Sequence, residues 1–299
     1  MGITLMMILV CVPVSAELEW VRVTTDYTPP KRDGHQMVYS IQDQMVLTFG
    51  AYVGSRLQPL HAYDGEDWWP IEPSGNWPPS RTNFGMAYDA DRDVVVVFGG
   101  FQGSVDYLGD TWEWDGTQWE EKFPEHSPLD RSGFRMTYAT FLGCSVGFGG
   151  FTEDWEVTNE LWVWDGIDWT LETASGPSPR TSAAITCDVL NNQIILFGGT
   201  EDGGTPISET WTWDGLSWQE IETASDPGGR YNHCLVFDSN RGVSLLYGGV
   251  VITDDYTDSS WEFNGIDWYE VETNHRPSER SKTAACYDSN RQRVVLYGG

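Results

Sequence analysis

Positive charge is what this chain has least of. Its 299 residues carry 17 Lys and Arg against 45 Asp and Glu, a formal net charge of −28. That balance excludes DNA, RNA and anionic membranes as partners, because those ligands reward the opposite sign. The acids are spread along the sequence and read as a solvated surface, not a tail. Cysteine is sparse, at 5. Cys144, Cys187, Cys234 and Cys286 lie far apart, with no CxxC and no paired histidine spacing. Zinc and redox sites therefore have no support, and free buried thiols are expected. No G-x-S-x-G, HExxH, P-loop or GxGxxG string occurs, so the common hydrolase, metalloprotease and nucleotide signatures are missing. No cofactor and no metal is expected. The cluster Asp254, Asp255 and Asp258 lacks the glycine-turned loop of a calcium site and reads as solvated acid.

Long apolar runs are also missing. The stretch Ile3 to Val12 is too short to span a bilayer. Pro13 and Val14-Ser15-Ala16 follow it, with small residues where a signal peptidase cuts, although no Lys or Arg precedes the run. Residues 1–16 are predicted as a signal peptide cleaved after Ala16. The chain would then be secreted, periplasmic or on the cell surface, with no membrane insertion after cleavage.

Aromatics are abundant: 14 % of the chain, with 16 Trp, beside 32 Gly and 15 Pro. Disordered chains are poor in aromatics, and this mixture suits short strands joined by turns. The aromatics are periodic. Phe-Gly recurs at Phe49, Phe98, Phe148 and Phe197 and continues as Tyr-Gly at Tyr247 and Tyr297. An arginine keeps the same period, at Arg32, Arg81, Arg131, Arg180, Arg230 and Arg280. A third marker is aromatic-Asp-Gly-x-x-Trp, at Tyr63–Trp68, Trp114–Trp119, Trp164–Trp169 and Trp213–Trp218, with Phe263–Trp268 carrying Asn for Asp.

Each period, about 50 residues long, resolves into four strands. Strand a follows the arginine and ends in a polar turn. Strand b is a continuous apolar run closing in Gly-Gly, as in Val94 to Gly100, the pattern of a strand buried on both faces. Strand c alternates, as in Thr111 to Trp114, and Asp-Gly turns it into strand d. Period-2 patterning at this spacing specifies an all-β propeller. The sequence resembles the kelch repeat family from Glu17 to Gly299, most closely the bacterial secreted kind whose hairpins read W-x-W-D-G-x-x-W. The resemblance implies about six four-stranded blades. Leu18 to Val23 matches a strand d, and the sequence ends on a strand b. The last blade is therefore expected to be incomplete, with strands a, b and d but no c, as in a truncated chain.

In a blade the a–b and c–d turns share one face, and the longer d–a and b–c loops share the other. Gly100 to Asp110, Gly150 to Glu160, Gly199 to Glu209 and Gly249 to Asp258 vary, and variable loops on a rigid scaffold are where ligands bind. Two sets of residues on that face are candidates. The six arginines would ring the channel mouth and suit an anionic ligand. Alternatively each pairs with the acid before strand c (Asp110, Glu160, Glu209, Asp258), as a position repeated in every blade would. The second set breaks the repeat. Trp69, Trp77 and Trp155 fall outside the framework, and Trp77 and Trp155 lie in loops. Trp155 is flanked by Glu153, Asp154 and Glu156, the plate-and-rim arrangement that holds a sugar ring. Tyr107 and Tyr256 are weaker candidates of the same kind.

His35 and His233 share one framework position, which favours a structural role, and His61, His126 and His275 share no spacing. The reading that follows is a non-catalytic scaffold for a protein or glycan ligand. The family also contains carbohydrate-active enzymes, galactose-oxidase-like and sialic-acid-epimerase-like, and a passive surface or adhesion module of a longer protein is a third possibility.

Overall fold

The computed structural model describes residues 6–12, 17–51, 60–72, 74–103, 106–172, 175–201, 204–252 and 255–299, with residues 6–12 and 17 described by their backbone alone. It is an all-β propeller of four-stranded antiparallel sheets. Five blades are each made from one stretch of chain, over 36–70, 85–122, 135–172, 184–221 and 234–270. Their innermost strands touch in cyclic order and line a central channel, and Ala284–Asp288 closes the circle between Cys234–Asp238 and Gln36–Ser40.

Burial falls from the axis outward, as the patterning requires. Strand b of the second blade, with Val95, Val96, Val97 and Phe98, is buried on both faces. Strand d, as in Trp119–Lys122, buries its first residue and leaves the next two exposed. Adjacent blades are joined by the repeated aromatics. Phe98 packs on Phe134, Trp164 and Trp169 of the following blade, and Phe197 packs on Phe263 and Trp268. The strand-d indole then reaches back: Trp169 Nε1 donates to Thr111 Oγ1 at 2.9 Å, and Trp268 Nε1 to Thr210 Oγ1 at 2.9 Å. Trp169 and Trp268 thus fill apolar space with the ring and satisfy the one polar atom across the interface, whereas the equivalent Trp119 Nε1 is buried with no partner among the described residues.

The hairpin turn differs slightly from expectation. The N–H of Asp115 donates to the carbonyl of Gln118 at 3.3 Å, so Gly116 and Thr117 centre the turn. Asp115 flanks it, with Oδ1 accepting from the N–H groups of Thr117 and Gln118 at 2.8 Å each.

The sixth sheet corrects the sequence reading. Its order is Glu17–Val23, Met6–Val12, Arg293–Tyr297, Ala284–Asp288. Met6–Val12 is the expected missing strand c, pairing with Glu17–Val23 on one side and with Val294 to Tyr297 on the other. The same segment carries the apolar run of the expected signal peptide, because a strand paired on both sides and a signal core call for the same composition. The cleavage positions Val14 to Ala16 lie outside the described residues.

At the channel mouth the backbone forms a closed collar. Asn83 N–H donates to Gly34 O, Gly133 to Asn83, Ser182 to Gly133, Asn232 to Ser182, Lys282 to Asn232, and Gly34 to Lys282, at 2.7–3.0 Å. All six residues have positive φ, between 52° and 69°. That backbone turns each N–H toward one neighbouring blade and each carbonyl toward the other. Gly and Asn take it readily, whereas Ser182 and Lys282 hold it at a cost.

Candidate functional site

The six periodic arginines enter strand a from the loop face, and each guanidinium folds into its own blade. Nε donates to the carbonyl two residues back, as from Arg131 to Leu129 at 2.9 Å. Nη1 donates to the first glycine of the Gly-Gly pair, as from Arg81 to Gly99 at 2.9 Å and Arg280 to Gly298 at 2.9 Å. In the first five the remaining donors reach the side chain 29 residues on, whereas Arg280 Nη2 donates to Ser278 Oγ at 2.9 Å. Arg81 forks onto both oxygens of Asp110 at 2.7 Å, Arg131 meets Glu160 at 2.7 Å and Arg180 meets Glu209 at 2.5 Å. The upstream Trp of the hairpin holds the same acid: Trp112 donates to Asp110 at 2.6 Å, Trp162 to Glu160 and Trp211 to Glu209 at 2.9 Å.

Arginine, glycine, acid and tryptophan are therefore one clamp. The six arginines, Arg32, Arg81, Arg131, Arg180, Arg230 and Arg280, are 0–8 % exposed. Their hydrogen-bonding capacity is turned inward, so they hold the blade and do not present an anion-binding ring.

The clamp varies where the acid is absent. Arg230 meets Ser259 Oγ at 3.0 Å, and it is Ser259, not the expected Asp258, that stands 29 residues on. Arg32 meets His61 Nδ1 at 3.3 Å. Burial without a carboxylate at that position pulls Arg32 and Arg230 down to about 10. Glu209 shows the converse: burial pushes it up, but hydrogen bonds from Arg180 and Trp211 outweigh that, and it sits below its ordinary value.

The off-repeat tryptophans separate. Trp77 is half-buried and packs on Phe49, Trp114 and Trp119, with ring centroids 6.4–6.5 Å apart. Its loop folds down over the joint between the first two blades, so Trp77 is core rather than ligand surface. Trp69 packs on the same cluster. Trp155 is 76 % exposed and has φ +65°. The turn beneath it is tied by Trp155 N–H to Thr152 O at 3.1 Å and Thr152 N–H to Glu156 O at 2.9 Å.

A row of rings leads up to Trp155. Phe101 meets Tyr107 edge-on at 5.0 Å, Tyr107 lies 6.1 Å from Phe151, and Phe151 meets Trp155 edge-on at 6.1 Å. The row crosses from the second blade to the third. Arg131–Ser132 pairs with Phe151–Thr152 beneath it and fixes its base. Trp155, Glu156, Val157, Pro179 and Glu201 line a shallow cleft. Tyr256, 54 % exposed, stands two blades on, its backbone bridged to Val250. Sequence reasoning found Trp155 and Tyr107 but missed Phe101 and Phe151, whose signal is an aromatic directly after Gly-Gly.

His35, His126 and His233 do structural work. His35 and His233 are buried edge-on to Tyr297 and Phe197 and are held neutral by burial and the nearby arginines. His126 is exposed and pairs with Asp168 at 2.7 Å, tying a d–a linker to the next hairpin as Ser225 and Asp267 do. The four described cysteines are free. No group of three or more metal-ligating side chains occurs among the described residues, and Asp254 of the acidic cluster lies outside them. No protein-family model matches this chain, and no curated protein matches it.

Proposed function

We propose that the chain is a kelch-type propeller that serves as a binding scaffold without chemistry of its own, and that its ligand is a glycan held on the loop face against Trp155. The observation that carries this reading is the combination at Trp155. A large indole stands 76 % in solvent on left-handed backbone. That conformation costs a bulky residue about 1–2 kcal/mol, and exposing the ring forgoes the burial that its size offers. Both are explained when the ring's partner is a ligand. Strain of this kind gathers at ligand clamps.

The chemistry suits a sugar. An indole face stacks on the apolar face of a pyranose, and Glu156 and Glu201 stand in the same cleft to accept from its hydroxyls. A neutral or basic glycan is favoured over an acidic one, because the surrounding loops are anionic. A protein ligand presenting an aromatic or aliphatic side chain is the other occupant the row accepts. A glycan array and a peptide screen on wild type and Trp155→Ala test the reading. Wild type should retain one class of ligand, and the variant should lose about ten-fold or more in affinity while its melting temperature holds. A ligand set indifferent to Trp155→Ala would leave the propeller as a passive module.

A further inference from the structure

We infer that the central channel is a second binding site, for a small organic monoanion, a carboxylate with an apolar body, held by the guanidinium of Arg135. The channel encloses a cavity of about 380 Å³ on the propeller axis, lined by all six inner strands. This lies within the range of small-molecule sites, about 300–1,000 Å³. Its wall is largely apolar, with Met86, Met136, Ile185 and Leu235, and includes the hydroxyls of Thr137 and Thr186. In a chain with 45 Asp and Glu, none of the described residues lining this cavity is acidic.

Against that wall stands one charge. Arg135 lines the cavity, and its Nη1 is closed to solvent with no hydrogen-bond partner among the described residues. The buried arginines of the clamps are different: Arg131 and Arg180 each bind two carbonyls and a carboxylate. Arg135 also breaks the repeat. The equivalent first residues of the other inner strands are Gln36, Gly85, Ala184, Cys234 and Ala284. Burial alone, with no carboxylate to offset it, brings Arg135 to about 10, so it stays a cation at neutral pH. His233 beside it is kept neutral. A half-buried cation with one nitrogen closed to water and no counter-charge is costly, and a ligand that supplies one recovers part of that cost.

The wall and the charge together define the ligand. A guanidinium presents a planar fork that fits a carboxylate. One cation balances one negative charge, and a second would stand uncompensated in a protein of net charge −28. The methionine and aliphatic wall takes an apolar body. The lining reaches Ile41, Ala90, Thr140 and Val189 in the a–b turns, so entry is from the face opposite Trp155.

Titration calorimetry and thermal shift with benzoate and hexanoate test the site, with benzamide and sulfate as controls. Both carboxylates should bind and raise the melting temperature of the wild type, and the controls should not. Arg135→Met should weaken carboxylate binding about ten-fold or more, one charge-assisted contact, and its melting temperature in ligand-free buffer should equal or exceed wild type, because an uncompensated charge is gone. Trp155→Ala should leave carboxylate binding unchanged, which separates this site from the loop face. Failure of both carboxylates to bind, equal binding by Arg135→Met, or equal binding of benzamide or sulfate would overturn the proposal. So would a lower ligand-free melting temperature in Arg135→Met, since the guanidinium would then already have a partner within the protein.

Discussion

The fifth blade offers a direct test of the arginine clamp, because Ser259 stands where the third and fourth blades have Glu160 and Glu209. Ser259→Glu should stabilise the protein. A charge-assisted hydrogen bond contributes about 1.5–3 kcal/mol and a neutral one about 1 kcal/mol. The substitution turns the bond that the charged guanidinium makes to a hydroxyl, Arg230 Nη1 to Ser259 Oγ at 3.0 Å, into one charged on both sides, and it gives up the neutral bond that Thr257 Oγ1 donates to Ser259 Oγ at 3.1 Å. The equivalent Glu209 side chain is 38 % exposed, so solvent screening trims the gain. The net is about 1 kcal/mol, a rise of about 2 °C for a domain of this size. Differential scanning calorimetry reads it. Glu160→Gln, which strips the charge from an existing clamp and leaves Arg131 buried, should cost about 2 kcal/mol. Asp258→Ala should be silent, since Asp258 is one residue out of step with the clamp. If Ser259→Glu leaves the melting temperature unchanged or lowers it, the carboxylate is not what the buried arginine needs and the clamp argument fails.

Ala51 holds φ +128° at a position that is glycine in the other sheets; Ala51→Gly should relieve that strain and add about 1 kcal/mol after the glycine's unfolded-state entropy is subtracted, and chemical denaturation showing a loss would refute it. His126 should titrate above its ordinary value because Asp168 hydrogen-bonds it, while Asp168 should titrate below its own. The His126 contribution is then fully present below the unfolded histidine pKa and fades as pH rises through the folded one. The Asp168 contribution is present above the unfolded carboxylate pKa and fades as pH falls through the lowered one; NMR titration of wild type and Asp168→Asn checks both. Removing residues 1–16 takes strand c from the sixth sheet, so a chain starting at Glu17 should melt several degrees lower. Equal melting would mean that the Met6–Val12 pairing is not made in solution, leaving that segment free to act as the export signal.

The blade was legible in the sequence because its interactions run at fixed separations. An arginine, the glycine 18 residues on and the side chain 29 residues on repeat together, so a clamp made in space is also a period along the chain. The error at Asp258 has the same origin: an acid one position early drew the eye from the constant offset to Ser259. The collar was not legible, because its bonds depend on φ, and Gly34, Asn83, Ser182 and Lys282 share a backbone state rather than a chemistry. Strand c of the sixth sheet was hidden because Met6–Val12 has none of the alternating tryptophans of the other copies. Trp77 and Trp155 look alike in sequence, each a lone tryptophan in a loop. They differ only in whether the loop folds over a blade joint or rises from a turn, and that is decided by packing. Arg135 was overlooked although its signal was present: an inner-strand position otherwise occupied by glutamine or small residues.

The division between framework and ligand-binding residues is tested most directly by substituting those two tryptophans and measuring melting temperature and ligand affinity on the same samples. Trp77→Ala should lose about 3 kcal/mol of stability, as a core indole does, and keep its affinity for whatever the wild type binds. Trp155→Ala should keep its melting temperature within about a degree, as exposed substitutions do, and lose about ten-fold or more in affinity. The reverse pattern, or a Trp155→Ala variant that melts early and binds normally, would contradict the account.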